Sequence, residues 1–319
     1  MVSEICLGTM TFGQQTNEIE ATNIVKSALA AGINFIDTAN SYVNGKTEEI
    51  LGKALKNERN SVVLATKAGA WRSGPGVNDI GLSRKHIMAE IENNLRRLGT
   101  DYIDLYYVHR PDPVTPIEET LRTLDDLVHQ GKARYIACSN FLAWQLCEAL
   151  WVSDRHNLVR FECIQPPYNI ITRDIEYELL PLCASKEVGV CVYNPLAAGL
   201  LTGKHDPTKA PPEGRFTVER LGPMYSERYW SAGNFEAVAR LKEIARGHGR
   251  SLTQFSLAWI LNNKTITSII CGVSSLKQLE ENLGATEIKL SGEELAACEE
   301  VWHQLRPFRF DYGMQQLKR

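Results

Sequence analysis

The sequence predicts an α/β protein whose eight parallel strands close into a (β/α)8, or TIM, barrel. Short apolar runs rich in β-branched residues alternate along the chain with longer stretches whose apolar residues have helical spacing. The strand-like runs are nearly continuous in apolar residues, as expected of strands buried on both faces of a parallel sheet. Eight such units in 319 residues fit a closed barrel, for which about 250 residues are typical. An open doubly wound sheet is the main alternative.

The elements follow in order from these patterns and from the residues at their ends. The predicted strands lie at 5–10, 33–37, 61–67, 102–109, 133–140, 161–165, 189–194 and 266–272, and the clearest helical stretches at 19–31, 84–98, 116–130, 144–152 and 235–248. Ser83 stands where an N-cap is preferred, Pro116 suits a first helical position, and Gly131 follows a predicted helix end.

We expect one domain over residues 1–319, with two segments that do not fit the alternation. Residues 205–232 are rich in Pro, Gly and charge and are predicted to form a long loop inserted after the seventh strand. Loops of that length are more often functional than accidental, although a disordered surface insertion is the alternative. The segment at about 306–319 is a tail that either folds over the substrate pocket or is a free end.

Composition excludes several classes of function. The formal net charge is −3 and no block of like charges occurs, so neither nucleic acid nor an anionic membrane surface is an expected partner. No apolar run reaches the roughly 20 residues that span a bilayer, and the N-terminus lacks the features of a signal peptide. The eight cysteines form no C-x-x-C pair, and most lie in apolar runs. We therefore expect a cytoplasmic protein with reduced, mostly buried thiols.

Histidine spacing gives no zinc motif, so no metal site is expected. His86, His129 and His156 are expected at the surface, on or near helices. Trp71 and Trp230 fall in segments that could overhang the mouth of a barrel.

Polar residues stand at the ends of most of the predicted strands. Asp37, Lys67 and His109 end three successive strands, and the C-terminal ends of barrel strands meet at the face that carries the active site. One polar strand end is often only the point where a strand reaches water, but three in succession are harder to explain in that way. Later strands end similarly, at Ser139, Asn140, Gln165 and Tyr193.

These groups suit the protonation of a carbonyl oxygen. Tyr42 lies five residues after Asp37 and can reach the same mouth. A tyrosine is a poor acid near neutrality, and a nearby ammonium lowers its pKa. A carboxylate beside Lys67 would keep that lysine charged, and His109 could donate a hydrogen bond to a carbonyl or share in proton transfer. Hydride would have to come from a cofactor, because no side chain supplies it.

Five stretches of the chain together resemble the aldo-keto reductase family, in the family's order. They are GINFIDTANSYVNGKTEEILGKAL, RRLGTDYIDLYYVHRPD, GKARYIACSNF, YNPLAAGLLTGK and GVSSLKQLEENL, and the resemblance runs from residue 4 to about 305. It implies a barrel that binds NADP(H) without a Rossmann domain, and the sequence contains no G-x-G-x-x-G. It also implies NADPH-dependent reduction of a small aldehyde or ketone.

Site residues follow from the resemblance by position. Asp37, Tyr42, Lys67 and His109 match the catalytic tetrad, with Tyr42 as the proton donor. Ser139, Asn140 and Gln165 match the groups that bind the nicotinamide carboxamide, and Tyr193 matches the aromatic residue that stacks on the nicotinamide ring. The other positions expected to bind the cofactor are Thr9, Met10, Asp37, Pro195, Leu196, Ala197, Gly199, Leu200, Lys204, Arg215, Gly272, Ser274, Ser275, Gln278, Glu281 and Asn282.

Within that set, residues 195–200 with Lys204 match the pyrophosphate-binding stretch, and residues 272–282 match the site for the adenosine and its 2′-phosphate. A helix starting near Ser275 would direct its N-terminal amides at that phosphate. Arg215, in the predicted loop, is expected to close over the cofactor.

Two other functions remain open at this point. Relatives of this fold serve as cytoplasmic partners of potassium channels, and the GVSSLKQLEEN stretch resembles theirs; those partners generally lack the tetrad histidine, which here is His109. A Schiff-base aldolase using Lys67 is disfavoured by Asp37, Tyr42 and the adenosine-site motif. Family members also commonly carry a hairpin before the first barrel strand, whereas here that strand follows almost at once. This departure bears on the barrel floor and leaves the catalytic mouth unaffected.

Overall fold

The computed structural model describes residues 1–70, 73–209, 211, 214–218 and 221–305. Its centre is a closed barrel of eight parallel strands in sequence order, so the predicted (β/α)8 barrel is confirmed. The first and last strands pair in parallel and close the barrel, with Gly8 opposite Gly272. The strands are β1 (Ile5–Gly8), β2 (Phe35–Asp37), β3 (Val63–Ala68), β4 (Ile103–Val108), β5 (Ala133–Ser139), β6 (Phe161–Gln165), β7 (Gly189–Val192) and β8 (Ser268–Gly272).

Helices surround the barrel. Ser83 caps one of them as expected, whereas Pro116 is the N-cap of the helix Ile117–His129 and not its first residue. The Ser83 side chain accepts from the His86 amide, and Gly99 ends the same helix with φ 63°. The helices are α1 (Glu18–Ala30), α2 (Lys46–Ala54), α3 (Arg84–Leu98), α4 (Ile117–His129), α5 (Ala143–His156), α6 (Leu179–Lys186), α7 (Gly222–Tyr229), α8 (Ala232–Gly247), α9 (Leu252–Leu261), α10 (Leu276–Leu283) and α11 (Gly292–Leu305).

Two apolar layers hold these elements together. A small inner cluster, including Phe35 and Tyr107, fills the barrel, and Val2 packs against it. A much larger cluster lies between the strands and the helices. Because the barrel interior is filled with side chains, chemistry is confined to its mouth.

The segment 205–232 is more ordered than a plain loop, because it contains α7 and a short 3-10 turn at Arg215–Thr217. Rings within and beside the segment pack edge to face: His205 and Trp230 each contact Phe216, with centroids 5.2 and 4.9 Å apart, and Trp230 contacts Phe235 at 4.9 Å. Trp230 is thus a packing residue of this segment. Trp71 and the tail 306–319 lie outside the described residues.

Three further expectations concern the cysteines, His86 and membrane-spanning helices. All eight cysteines are free, and seven are buried, while Cys147 is exposed. The surface position expected for His86 is wrong: its side chain is only 3% exposed, because the first turn of α3 packs it inward. Across the described ranges, the helices are too short or too polar to cross a lipid bilayer.

Candidate active site

Three successive strand ends bring Asp37, Lys67 and His109 to one mouth of the barrel. The Lys67 ammonium donates to Asp37 Oδ1 at 2.5 Å and to the Thr38 carbonyl at 2.9 Å. Both charged side chains are at most 1% exposed. His109 follows β4 directly, and its amide donates to the Ala68 carbonyl at 2.8 Å. The parallel pairing of β2, β3 and β4 therefore sets the mutual positions of the three groups.

Tyr42 reaches the same point from the turn after β2. Its hydroxyl lies 3.5 Å from Lys67 Nζ, and its ring meets the His109 ring edge to face, with centroids 6.2 Å apart. The turn that follows is strained, because Val43 and Asn44 have φ values of 46° and 52°. A left-handed β-branched residue is an outlier that persists only where its surroundings impose it, and such strain clusters at active sites.

The environment sets the protonation state of each group. Burial lowers the pKa of Lys67, but the Asp37 carboxylate more than compensates, so the net shift is upward and the lysine stays charged. Burial raises the pKa of Tyr42 by more than the Lys67 ammonium lowers it. The Lys67 ammonium lowers the pKa of Tyr42, as expected. The net shift of that pKa is nevertheless upward, which is the opposite of what Lys67 alone would cause. Burial, then Lys67 and Arg110, holds the pKa of His109 well below its usual range.

At neutral pH the site therefore combines a protonated tyrosine, an ammonium–carboxylate pair and a neutral imidazole. The Nδ1 atom of His109 is buried without a hydrogen-bond partner among the described residues. A neutral imidazole carries one N–H donor, so His109 can donate one hydrogen bond to an acceptor that enters the mouth.

Side chains from β5 and β6 continue the site. The Gln165 amide donates to Asp37 Oδ2 at 2.9 Å, so β6 fixes the second carboxylate oxygen. The Ser139 hydroxyl donates to the Gln165 carbonyl at 2.8 Å, and Asn140 Nδ2 donates to Ser139 Oγ at 3.0 Å. Hydroxyl and amide groups thus meet beside the carboxylate, as binding of a planar carboxamide requires.

Tyr193 directly follows β7 and donates its hydroxyl to Asn140 Oδ1 at 2.8 Å. The chain then turns sharply: Asn194, Ala197 and Ala198 have φ values of 60°, 48° and 58°. Leu200 is buried in this turn. The turn follows the C-terminal end of β7 at the mouth, and Lys204 comes after it at an exposed position.

Two features lie near the end of β8, where the sequence analysis expects the nucleotide site. Ser275 caps α10, accepting from the Gln278 amide at 3.4 Å, and Gln278 Oε1 accepts from the Ser274 amide at 2.8 Å. A Cβ on Gly272 would lie 3.4 Å from Arg215 Nη2, so the 3-10 turn places its guanidinium against the strand end. Four other residues of the expected cofactor-binding set lie in different environments. Thr9 and Asn282 are buried and Met10 is half-buried, while the Glu281 carboxylate accepts a hydrogen bond from the Ser251 hydroxyl.

One part of the mouth was missed by the sequence analysis. Helix α7 places Tyr225 near enough to Tyr42, and Arg228 near enough to Tyr193, to influence the pKa of each. The Tyr229 hydroxyl accepts from Asn194 Nδ2 at 3.3 Å. The signal was present: Pro223 stands at a helix start, and Tyr225 and Tyr229 are spaced i, i+4.

Comparison with known proteins matches residues 4–303 to the model of the aldo/keto reductase family. A probable voltage-gated potassium channel subunit beta of Arabidopsis thaliana is 38% identical, over 90% of this chain and 88% of its own. The aflatoxin B1 aldehyde reductase member 2 of Rattus norvegicus is 34% identical, over 88% of this chain and 79% of its own. The uncharacterised oxidoreductase YrpG of Bacillus subtilis is 35% identical, over 94% and 92%.

Proposed function

Because this chain belongs to the aldo/keto reductase family, we propose that it reduces an aldehyde or ketone to an alcohol with NADPH. The family supports an oxidoreductase with a nicotinamide cofactor, and the site supports the finer assignment. The observation that carries the proposal is the position of the Lys67 ammonium, between the Asp37 carboxylate at 2.5 Å and the Tyr42 hydroxyl at 3.5 Å. This arrangement makes Tyr42 a proton donor whose phenolate is stabilised by a fixed positive charge.

The residues act on the carbonyl oxygen. A nicotinamide cofactor bound at this mouth would supply the hydride for the carbonyl carbon. Tyr42 gives its hydroxyl proton to the oxygen, where negative charge develops, and the Lys67 ammonium stabilises the phenolate that remains. The neutral His109 donates a hydrogen bond to the same oxygen and orients the substrate. Asp37 keeps Lys67 charged, and Gln165 fixes Asp37. A solvent proton then restores Tyr42, so the net product is the alcohol.

The residues present fit the cofactor. Ser139, Asn140 and Gln165 offer hydroxyl and amide groups for a carboxamide, and Tyr193 offers a ring beside them. The N-terminus of α10 and the Arg215 guanidinium suit a phosphate, because free helix amides and a cation attract an anion. That combination favours NADPH over NADH.

We further propose that the substrate is a small free carbonyl compound and that the protein works in the cytoplasm. Eight free thiols suit a reducing compartment.

The test is the loss of reduced-nicotinamide absorbance with a panel of aldehydes and ketones, for the wild type and Tyr42→Phe. We expect turnover by the wild type and a decrease of at least two orders of magnitude in Tyr42→Phe. No turnover on any carbonyl, or full activity in Tyr42→Phe, overturns the proposal. Equal affinity for NADH and NADPH overturns only the choice of cofactor.

A second candidate is a regulatory subunit of a potassium channel. Its support is the 38% identity to the Arabidopsis protein, which exceeds the 34% identity to the rat reductase. His109 argues for an enzyme, because such partners generally lack the histidine of the tetrad. Co-purification with a voltage-gated potassium channel, together with no carbonyl turnover, would favour this candidate.

A further inference from the structure

Glu48 is a residue of α2 with a fully buried carboxylate. This carboxylate lies outside the barrel and faces β3 and α3. Its Oε1 atom accepts from Thr66 Oγ1 at 2.5 Å and from Asn94 Nδ2 at 2.7 Å. Its Oε2 atom pairs with Arg97 Nε at 2.6 Å. A buried carboxylate is costly unless its oxygens are fully bonded, so three partners from two elements indicate a built feature.

One of these bonds reaches the strand that carries Lys67. Thr66 and Lys67 are consecutive on β3, and successive side chains of a strand point to opposite faces. Lys67 therefore reaches into the mouth and binds Asp37, while Thr66 reaches outward and binds Glu48. Any shift of Thr66 is transmitted directly to Lys67.

The other side of Glu48 reaches the turn that carries Tyr42. Helix α2 begins directly after the strained turn Tyr42–Gly45, and Glu48 lies in its first turn. Arg97 packs against the end of that turn, since a Cβ on Gly45 would lie 2.7 Å from Arg97 Cδ. The ion pair with Glu48 holds Arg97 in this position. Glu48 thus contacts both supports of the Lys67–Tyr42 pair.

That pair is sensitive to small movements. Its 3.5 Å separation is the longest of the three distances at which Lys67 donates, and it exceeds the range of about 2.7–3.2 Å that is usual for such bonds. A misplacement of the reacting groups by about 1 Å, caused by a substitution far from them, can lower the rate about a hundredfold.

We propose that Glu48 is a positioning residue, which through Thr66 and Arg97 holds the Lys67 strand and the Tyr42 turn in one arrangement. This inference rests on the proposed carbonyl reduction, and its test therefore includes a measurement that needs no turnover.

The first variants are Glu48→Gln, which removes the charge, and Thr66→Val, which removes one hydrogen bond in the same shape. We expect kcat to fall about tenfold or more in both, with cofactor affinity and substrate KM within about twofold of the wild type. Thr66→Ser keeps the hydroxyl and should restore kcat. Thr66→Val also covers the case in which Glu48→Gln does not fold.

Glu294 provides the matched control. It too is a buried carboxylate paired with an arginine, at 2.5 Å from Arg250, but it lies in α11, far along the chain from the tetrad strands. Glu294→Gln should lower the melting temperature and leave kcat unchanged. Glu49→Gln, an exposed neighbour on the helix of Glu48, should change neither.

The measurement without turnover is the ultraviolet titration of Tyr42, taken as wild type minus Tyr42→Phe. Glu48→Gln and Thr66→Val should raise the pKa of Tyr42, because Lys67 moves away from the phenolate. If both variants only lower the melting temperature, as Glu294→Gln does, with kcat and the titration unchanged, the inference is overturned. A wild type that reduces no carbonyl overturns the proposed function, whereas a raised Tyr42 titration still supports positioning by Glu48.

Discussion

The ammonium nitrogen of Lys67 lies 3.5 Å from the hydroxyl of Tyr42, although the two residues are 25 positions apart in different elements. Lys67 is fixed by a buried strand, and Tyr42 by a strained turn. The contact thus depends on two supports, a strand and a turn, and substitutions can distinguish the chemistry of the contact from the stability of these supports.

Replacing Lys67 by Met removes the charge that stabilises the phenolate and leaves Asp37 buried without its counter-ion. We expect kcat to fall by about two to four orders of magnitude and the free energy of unfolding to fall by about 3–5 kcal/mol. Steady-state turnover and denaturant unfolding measure the two effects. The double variant Asp37→Asn with Lys67→Met should regain much of the stability and none of the activity, because no buried charge is left unpaired. Recovery of activity in the double variant would contradict the role given to Lys67.

The stability of the protein should fall as the pH drops below about 6.5, and His109 should account for part of the loss. Burial, Lys67 and Arg110 hold the pKa of His109 well below its ordinary value in the folded protein. Below about pH 6.5 the unfolded chain therefore binds a proton that the folded chain does not, and unfolding becomes more favourable. Above that pH the imidazole is neutral in both states and adds no pH dependence.

The free energy of unfolding of the wild type and of His109→Gln, measured between about pH 5 and pH 8, tests this pH dependence. The two stability curves should converge toward acid pH and run parallel above neutrality. His86 has a pKa lowered mainly by burial, so His86→Gln should remove a further part of the same slope. Parallel curves over the whole range would show that His109 is not held neutral by the fold.

The polar residues at the strand ends could be predicted from sequence, because each buried strand reads as an apolar run and its C-terminal end lies at one face of the barrel. Asp37, Lys67 and His109 each follow an apolar run, and the parallel sheet brings such ends together. Helix α3 could be placed at 84–98 because its apolar residues have helical spacing and Ser83 marks its start. The place of Tyr42 depends on left-handed turn residues that have no periodic pattern, so its role came from family resemblance.

Other features depend on packing that local patterns do not express. Helix α7 lies in a segment rich in Pro, Gly and charge, and its signs were Pro223 at its start and two tyrosines at helical spacing. His86 was expected at the surface as a residue on or near a helix, yet α3 turns it inward, near Glu90. The net direction of the Tyr42 pKa shift follows from its depth of burial, which no motif encodes.

Gly45 and Gly32 form a matched pair for measuring strain in the Tyr42 turn. Both have φ +87°, but a Cβ on Gly45 would lie 2.7 Å from Arg97 Cδ, whereas a Cβ on Gly32 meets nothing within 4 Å. Gly32→Ala should cost only the left-handed backbone penalty, about 1–2 kcal/mol. Gly45→Ala should cost more, because Arg97 must also move, and should lower kcat while Gly32→Ala leaves it unchanged. Equal losses of stability, with equal kcat, would show that Arg97 does not confine the turn.

Substitution of Ser275, the N-cap of α10, can distinguish an effect on helix stability from an effect on the preference for NADPH. Ser275 and Ser83 make the same kind of N-cap bond, each at 3.4 Å, but Ser83 caps α3. Replacing either by Ala should destabilise the protein by about 1 kcal/mol. Only Ser275→Ala should weaken NADPH binding, by several-fold, because the proposed 2′-phosphate site lies at the N-terminus of α10.

Fluorescence titration with NADPH and with NADH measures the two cofactor affinities. NADH lacks the 2′-phosphate, so its affinity should change little in either variant. An equal loss for both cofactors in Ser275→Ala would mean that α10 contacts a part of the nucleotide that the two share, and the preference for NADPH would then have to come from Arg215.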